Sequence, residues 1–441
     1  MEGDTLLYSR LLTFVTLGFH IVFATLGVGV PVMISLAEWV GIRRKDPHYV
    51  LMARRWSRGF VITVAVGVVT GTCIGMQLSL LWPRFMQAAG HVISLPMFLE
   101  IFAFFLEAIF LGIYMYTWDR FRPIVHWLLT LPVVIGSSAS AFFITTVNAF
   151  MNTPQGFTLQ NGQFVDVDPW AAMWNPATPS KVAHVLASAY LTSAFLLGSI
   201  AAFRLLQGRD HPYYRKALRF TMAASLVFAV ATVVAGDWSG KFLAEHQPEK
   251  LAAAEWHFET KPRAELIVGG VLDPETGEVA YALRIPWALS ILAHGHPDAV
   301  VTGLDAIPRE QWPPLFVHYV FDAMVLIGFY TVLVPIAYFG YIWRKRAVPR
   351  LVLRLIVWGG PLAMLAIELG WIYAEVGRQP WILRGYMKTA EAVTTSEGVG
   401  LMLVLFSLLY IVLAAVAAFV LLRLFRNKPL EAELEERRVI L

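Results

Sequence analysis

Long apolar runs broken by short polar connections set the pattern of this chain. A helix needs about 20 apolar residues to cross the hydrocarbon core of a bilayer. Nine runs meet that length: residues 11–38, 57–82, 93–117, 124–150, 181–205, 217–240, 315–342, 351–375 and 397–424, called spans 1 to 9 below. Inside lipid an apolar segment satisfies its own backbone only as a helix. The expected fold is therefore all-α, a polytopic membrane bundle of about nine transmembrane helices. One connection stands apart. Residues 241–312 are polar and far longer than most joins, and such loops are functional or disordered. They hold a helix-compatible stretch from Pro248 to Glu259 and a turn at Asp273-Pro274-Glu275-Thr276-Gly277. The expected organisation is spans 1–6 in residues 1–240, a loop module in 241–312, spans 7–9 in 313–426 and a charged tail in 427–441. No internal repeat or low-complexity tract is visible.

Composition agrees with this pattern. The 441 residues are 57% hydrophobic and 15% charged, whereas a soluble domain carries about 25% charged residues. The net charge of +4 is too small to point to nucleic acid. The single cysteine, Cys73, excludes an internal disulfide, a four-thiolate zinc site and an all-thiolate iron–sulfur cluster. The first apolar run begins near Leu11 without a basic leader or a cleavage site, and it runs too long for a signal peptide. The 15 Trp and 29 Phe suit interfacial belts and packing around a flat apolar ligand alike.

Lys and Arg alternate between connections. Arg43, Arg44, Lys45, Arg54, Arg55 and Arg58 follow span 1, Arg120 and Arg122 follow span 3, and Arg209, Arg215, Lys216 and Arg219 follow span 5. Arg344, Lys345, Arg346 and Arg350 follow span 7, and Arg423, Arg426 and Lys428 end the chain. The other connections are poorer, with Arg378, Arg384 and Lys388 after span 8 a partial exception. The positive-inside rule then places the N-terminus outside and the C-terminus inside.

An ionisable group inside a span costs about 2.5–3.5 kcal/mol on insertion scales, so each must be paired, solvated or bound. Span 1 carries His20, which reads equally as a helix–helix hydrogen-bond partner or a ligand. His184 opens span 5, where an interfacial role is the plainer reading. Span 7 holds Asp322 and Met324, and a Met in an apolar helix is ordinarily packing. Glu100 and Glu107 of span 3 are two helical turns apart and share a face, which suits a proton relay better than two isolated protonated acids. Span 8 ends in ELGWIYAEVGRQPW, residues 368–381, with Trp371 and Glu375 one turn apart. Arg378 follows, and an acid–arginine pair at the interface is the plain reading. With the orientation above, His20, His184, Met324 and Glu375 all fall in the outer half of the membrane. Four potential iron ligands on different helices at one depth suit haem better than zinc, since porphyrin fills four positions and asks the protein for one or two.

GRQPW at 377–381, PEKLAAAEWHFE at 248–259, and AFFLE at 103–107 followed by WDR at 118–120 resemble subunit I of cytochrome bd-type quinol oxidases, and the similarity runs from Ser9 to span 9. The resemblance implies a terminal respiratory oxidase of the prokaryotic cytoplasmic membrane. It implies quinol oxidation at the outer face and oxygen reduction to water on a haem pair. The implied cofactors are a low-spin haem b, a high-spin haem b and a haem d, without copper. His184 and Met324 match the axial pair of the low-spin haem. His20 and Glu375 match the ligands of the two high-spin haems, in either order, with Arg378 at the cofactor. Glu100 and Glu107 match proton-path acids, Trp371 an aromatic between haems, and Lys250 and Glu255 residues of quinol oxidation. The expected partners are quinol, oxygen, the lipid bilayer, a second membrane subunit and a small single-helix subunit. The loop lacks the insertion of long-loop members. Asp322 stands where better-known members have Arg, which opens the question of how charge is balanced there.

A proton-coupled transporter is the alternative class, but paired repeats and matched broken helices are not visible. A haem-bearing reductase without oxygen chemistry would need His184 and Met324 but not His20, Glu375 and an acid relay.

Overall fold

The computed structural model describes residues 2–273 and 276–436; Pro274 and Glu275 of the expected turn and residues 437–441 of the tail lie outside the described residues. Nine helices long and apolar enough to cross a membrane are present among the described residues: Asp4–Arg44, Pro47–Leu81, Pro83–Tyr116, Pro123–Asn152, Thr178–Leu206, Pro212–His246, Val317–Trp343, Arg350–Val376 and Val399–Asn427. They match spans 1 to 9 in order, and each extends past its apolar run at one end or both, because helices end at caps rather than where hydropathy falls. Spans 2, 3 and 6 start on Pro47, Pro83 and Pro212, whose fixed φ and missing N–H suit the first helical position. Asp46 accepts from the His48 N–H at 3.1 Å and His211 Nδ1 accepts from the Tyr213 N–H at 3.0 Å, satisfying free donors of the first turn. Span 4 breaks at Leu129 into Pro123–Leu128 and Thr130–Asn152.

Span 5 is central, with 61% of its most apolar window buried inside the chain, whereas span 9 buries 11% and lies at the edge. Small residues let backbones approach, as is common where lipid supplies no hydrophobic drive between helices. A Cβ on Gly29 would fall 2.4 Å from Ala189 O, one on Gly136 2.7 Å from Ala103 O, and one on Gly360 2.6 Å from Ser199 Oγ.

Two ends of the bundle are tied separately. On one, Arg54 meets Asp119 at 3.1 Å and Lys216 meets Asp46 at 2.6 Å, and most of the Lys and Arg gather there. The short helix Leu430–Glu436 seals this basic end, with Leu430 and Leu434 buried and Glu433 paired to Arg55 and Arg58. On the other end, Gln247 Nε2 donates to Thr153 Oγ1 at 3.0 Å, Arg10 to Gln379 Oε1 at 3.2 Å, and the Arg384 N–H to Met151 O at 3.0 Å. The charges after span 8 are structural ties here: Arg384 pairs with Glu249 and Arg378 with Glu375. That accounts for the exception in the charge alternation.

The long loop folds onto this second end. It contains the helices Pro248–Ala254 and Ala288–His294, and antiparallel pairings of Lys261–Pro262 with Val300–Val301, Leu266–Val268 with Leu283–Ile285, and Val271–Leu272 with Val279–Ala280. The helix expected from Pro248 to Glu259 stops at Ala254. Trp256 turns to φ 46°, and its indole donates to Leu315 O at 2.8 Å. For a bulky side chain that left-handed conformation costs about 1–3 kcal/mol, and its contacts hold it there.

Candidate functional site

A single apolar cavity of about 2100 Å³ runs through the bundle from the loop end. Ligand pockets span about 300–1,000 Å³, so this one has room for more than one large group. His20, Glu100, Glu107, His184, Lys250, Glu255, Met324, Trp371, Glu375 and Arg378 all line it. Ten residues chosen from five spans, the long loop and the connection after span 8 thus share one space.

Each candidate iron ligand is held differently. His20 Nδ1 meets Thr70 Oγ1 at 2.9 Å, a hydroxyl that also reaches Val66 O at 2.9 Å. With Nδ1 engaged there, Nε2 is the nitrogen left for a metal, the arrangement in which a ligating imidazole is oriented through its other nitrogen. Gly71 faces the same ring, where a Cβ would lie 3.2 Å from Cε1. His184 is backed by Gly236, and its buried Nδ1 has no hydrogen-bond partner, the Thr232 carbonyl being the polar group beside it. Gly370 of span 8 faces Met324, with a Cβ position 3.2 Å from Sδ. Among the described residues no three His, Cys, Asp or Glu side chains gather into a metal site. Ligands offered singly around a large apolar cavity fit haem, which brings four equatorial nitrogens of its own.

The loop end of the cavity holds an excess of buried cations. Arg378 donates to Glu375 Oε2 at 2.6 Å, and the Asn148 amide donates to Oε1. Arg378 Nε and Nη1 are buried without partners. Lys250 Nζ reaches from the loop helix to Ala374 O at 3.0 Å, over the Tyr373 ring, and Lys181 lies in the same electrostatic neighbourhood. Burial, with Lys181 and Arg378 nearby, pushes Lys250 well below the usual lysine range. Unpaired cation donors beside one engaged carboxylate call for further carboxylates, and haem propionates are carboxylates.

Glu100 and Glu107 both face the cavity, and Ser140 Oγ donates to Glu100 Oε1 at 2.7 Å. Two turns further along span 3, Tyr114 donates to Glu38 Oε2 at 2.7 Å, and His126 Nδ1 meets Glu38 Oε1 at 2.7 Å. This buried triad carries the polar face on toward the basic end; sequence reasoning missed it because its members sit on three spans.

His318 was also missed, though its place four residues before Asp322 was a usable signal. Fully buried, it sits 3.3 Å from Asp322 Oδ2, and Asp322 accepts from the Gly269 N–H at 2.5 Å. Asp322 thus packs against a histidine one turn away on the same helix.

Comparison with known proteins agrees with this geometry. The family model for cytochrome bd terminal oxidase subunit I matches residues 8–429. A Bacillus subtilis (strain 168) protein, provisionally assigned as a cytochrome bd menaquinol oxidase subunit I, is 44% identical over 439 residues, covering 98% of this chain and 99% of that one. Cytochrome bd ubiquinol oxidase subunit 1 of the same organism is 30% identical over 424 residues, 92% of this chain and 90% of its own length. The solved bd oxidase from Geobacillus thermodenitrificans is 64% identical, covers 97% of this chain and 100% of the matched chain, and superposes with a TM-score of 0.94. From the arrangement of its cavity and from these matches, the chain belongs to the family of subunit I of the cytochrome bd terminal quinol oxidases.

Proposed function

We propose that this chain binds the haems of its oxidase, oxidises quinol at the loop end of the cavity, and draws the protons for water from the basic end. The observation that carries this is the one cavity joining Lys250 and Glu255 of the loop to His20, His184, Met324 and Glu375, and on to Glu107 and Glu100. His184 and Met324 would hold a low-spin haem b. His20 and Glu375 would hold a high-spin haem b and a haem d, in either order and without copper. Arg378, Lys181 and Lys250 would neutralise propionates, and Trp371 would pack between the groups. When bound, the haems supply one-electron transfer and an iron at which oxygen is reduced.

The remaining work falls to side chains. Glu255 is buried, with Oε2 unpartnered. Burial, together with the Asp322 charge, raises it to about 8. An ionised Glu255 takes a proton from a quinol hydroxyl, and Lys250 orients the quinol oxygen. Glu107 and then Glu100 pass protons from the basic end toward the cavity. With that end cytoplasmic, quinol protons leave outside and water's protons arrive from inside, so turnover separates charge without a pump. A second membrane subunit and a small single-helix subunit complete the enzyme.

A base must be ionised to work, so kcat/KM for quinol should rise about tenfold per pH unit below about 8 and level off above it. Glu255→Gln should flatten that rise, as read by oxygen uptake across a pH series. The reading as a whole is tested by a dithionite-reduced minus air-oxidised spectrum of the purified complex, followed by carbon monoxide. A low-spin b band with a red chlorin band that shifts under carbon monoxide supports the three-haem assignment. Bands of b type alone would remove haem d from it, and a haem-free folded complex would overturn the assignment altogether.

A further inference from the structure

His318 is surrounded by acceptors. Its Nδ1 lies 2.7 Å from Ala254 O, and its Nε2 lies 3.2 Å from Gly269 O and 3.3 Å from Asp322 Oδ2. Carbonyls cannot donate, so at its shortest contact the ring donates from Nδ1 to the Ala254 carbonyl. Asp322 Oδ2 also accepts from the Gly269 N–H. The Trp256 ring stacks on His318 at 3.9 Å and 19°, a close aromatic contact.

These contacts bracket one residue. Ala254, held through its carbonyl, and Trp256, held through its ring, are the two chain neighbours of Glu255. Asp322 of span 7 and Tyr373 of span 8 lie in the electrostatic neighbourhood of Glu255, and Lys250 lines the same cavity from its own helix. A small rotation of the 254–256 backbone would swing the carboxyl away from the cavity; His318 touches the residue on each side of Glu255 and opposes it, together with the Leu315 carbonyl that holds Trp256.

We propose that His318, clasped between Asp322 and Trp256, is the positioning residue that aims Glu255 at the quinol. This rests on the reading that quinol is oxidised beside Glu255. His318 takes no part in proton transfer; it fastens the loop to the helix that carries Met324 and fixes where the base stands.

The test uses the purified oxidase complex with all its subunits, a short-chain quinol as donor, and oxygen uptake as the readout. His318→Gln loses the ring stacked on Trp256 and the Nδ1 contact to the Ala254 carbonyl. Its quinol-driven kcat should fall about tenfold or more, since misplacing a reacting group by about an ångström costs up to about 100-fold. Oxygen uptake driven by ascorbate with a one-electron mediator, which bypasses quinol, should keep its wild-type rate, and the reduced haem spectrum should not change. The deciding comparison is a double-mutant cycle. If His318 acts through Glu255, His318→Gln adds little once Glu255→Gln is present. A full additional loss in that background, or a wild-type quinol rate in His318→Gln alone, overturns the proposal. Should His318→Gln fail to assemble, His318→Phe keeps a ring against Trp256 while losing the donor to the Ala254 carbonyl, and it must show the same non-additive loss. A wild-type rate in Glu255→Gln itself would strike the quinol-site reading instead, and separates the two failures.

Discussion

Glu107→Gln lowers quinol-driven oxygen uptake by about 100-fold, at the modest end of what a positioned proton-transfer group contributes, and leaves the haem spectrum intact. Glu107 is 5% exposed and faces the cavity. Span 4 presses directly on its backbone, since a Cβ on Gly136 would fall 2.7 Å from the Glu107 nitrogen. Gln has nearly the same shape, so the helix contact survives. What is lost is the ability to release and regain a proton at one point of the proposed path through Glu107 to Glu100. The same variant in proteoliposomes should develop a smaller membrane potential in proportion to its turnover, followed with a voltage-sensitive dye. Unchanged uptake and unchanged potential would remove Glu107 from the path.

His184→Leu abolishes the low-spin haem signal and brings quinol-driven turnover below about 1% of wild type, because losing a ligand exceeds the 10–100-fold that supporting partners of ligands contribute. The buried ring has an unpartnered Nδ1 and a glycine behind it, so Leu fills the space without repacking span 6. Met324→Leu is the informative companion. Leu and Met exchange at a cost below about 1.5 kcal/mol, so the fold persists while the thioether is gone. A Met opposite His raises a haem potential, so the low-spin midpoint should fall in a redox titration even where the haem is retained. A wild-type low-spin band in His184→Leu would show that the ligand has been misassigned.

The transporter reading ends with the family match over residues 8–429, and the reductase reading with the quinol oxidase relatives.

Much of the architecture follows from sequence alone, for a physical reason. Lipid leaves an apolar run of about 20 residues no stable form but a helix, so nine runs meant nine helices, and their charged ends separated two faces. The seven-residue spacing of Glu100 and Glu107 fixed a shared face, because helical geometry is local. GRQPW and the loop segment carried the family. Tertiary structure alone decided what depends on residues far apart in the chain. Lys250 reaches the end of span 8, Asn148 holds Glu375, and Glu38, His126 and Tyr114 meet from three spans. Pro248–Glu259 reads as helix by propensity, yet the chain turns after Ala254, because the Leu315 carbonyl and the His318 ring hold Trp256 in a conformation no local rule favours. Asp322 read alone looked like an uncompensated departure; the fold sets against it His318, one turn away, and the Gly269 N–H of a loop about 50 residues earlier.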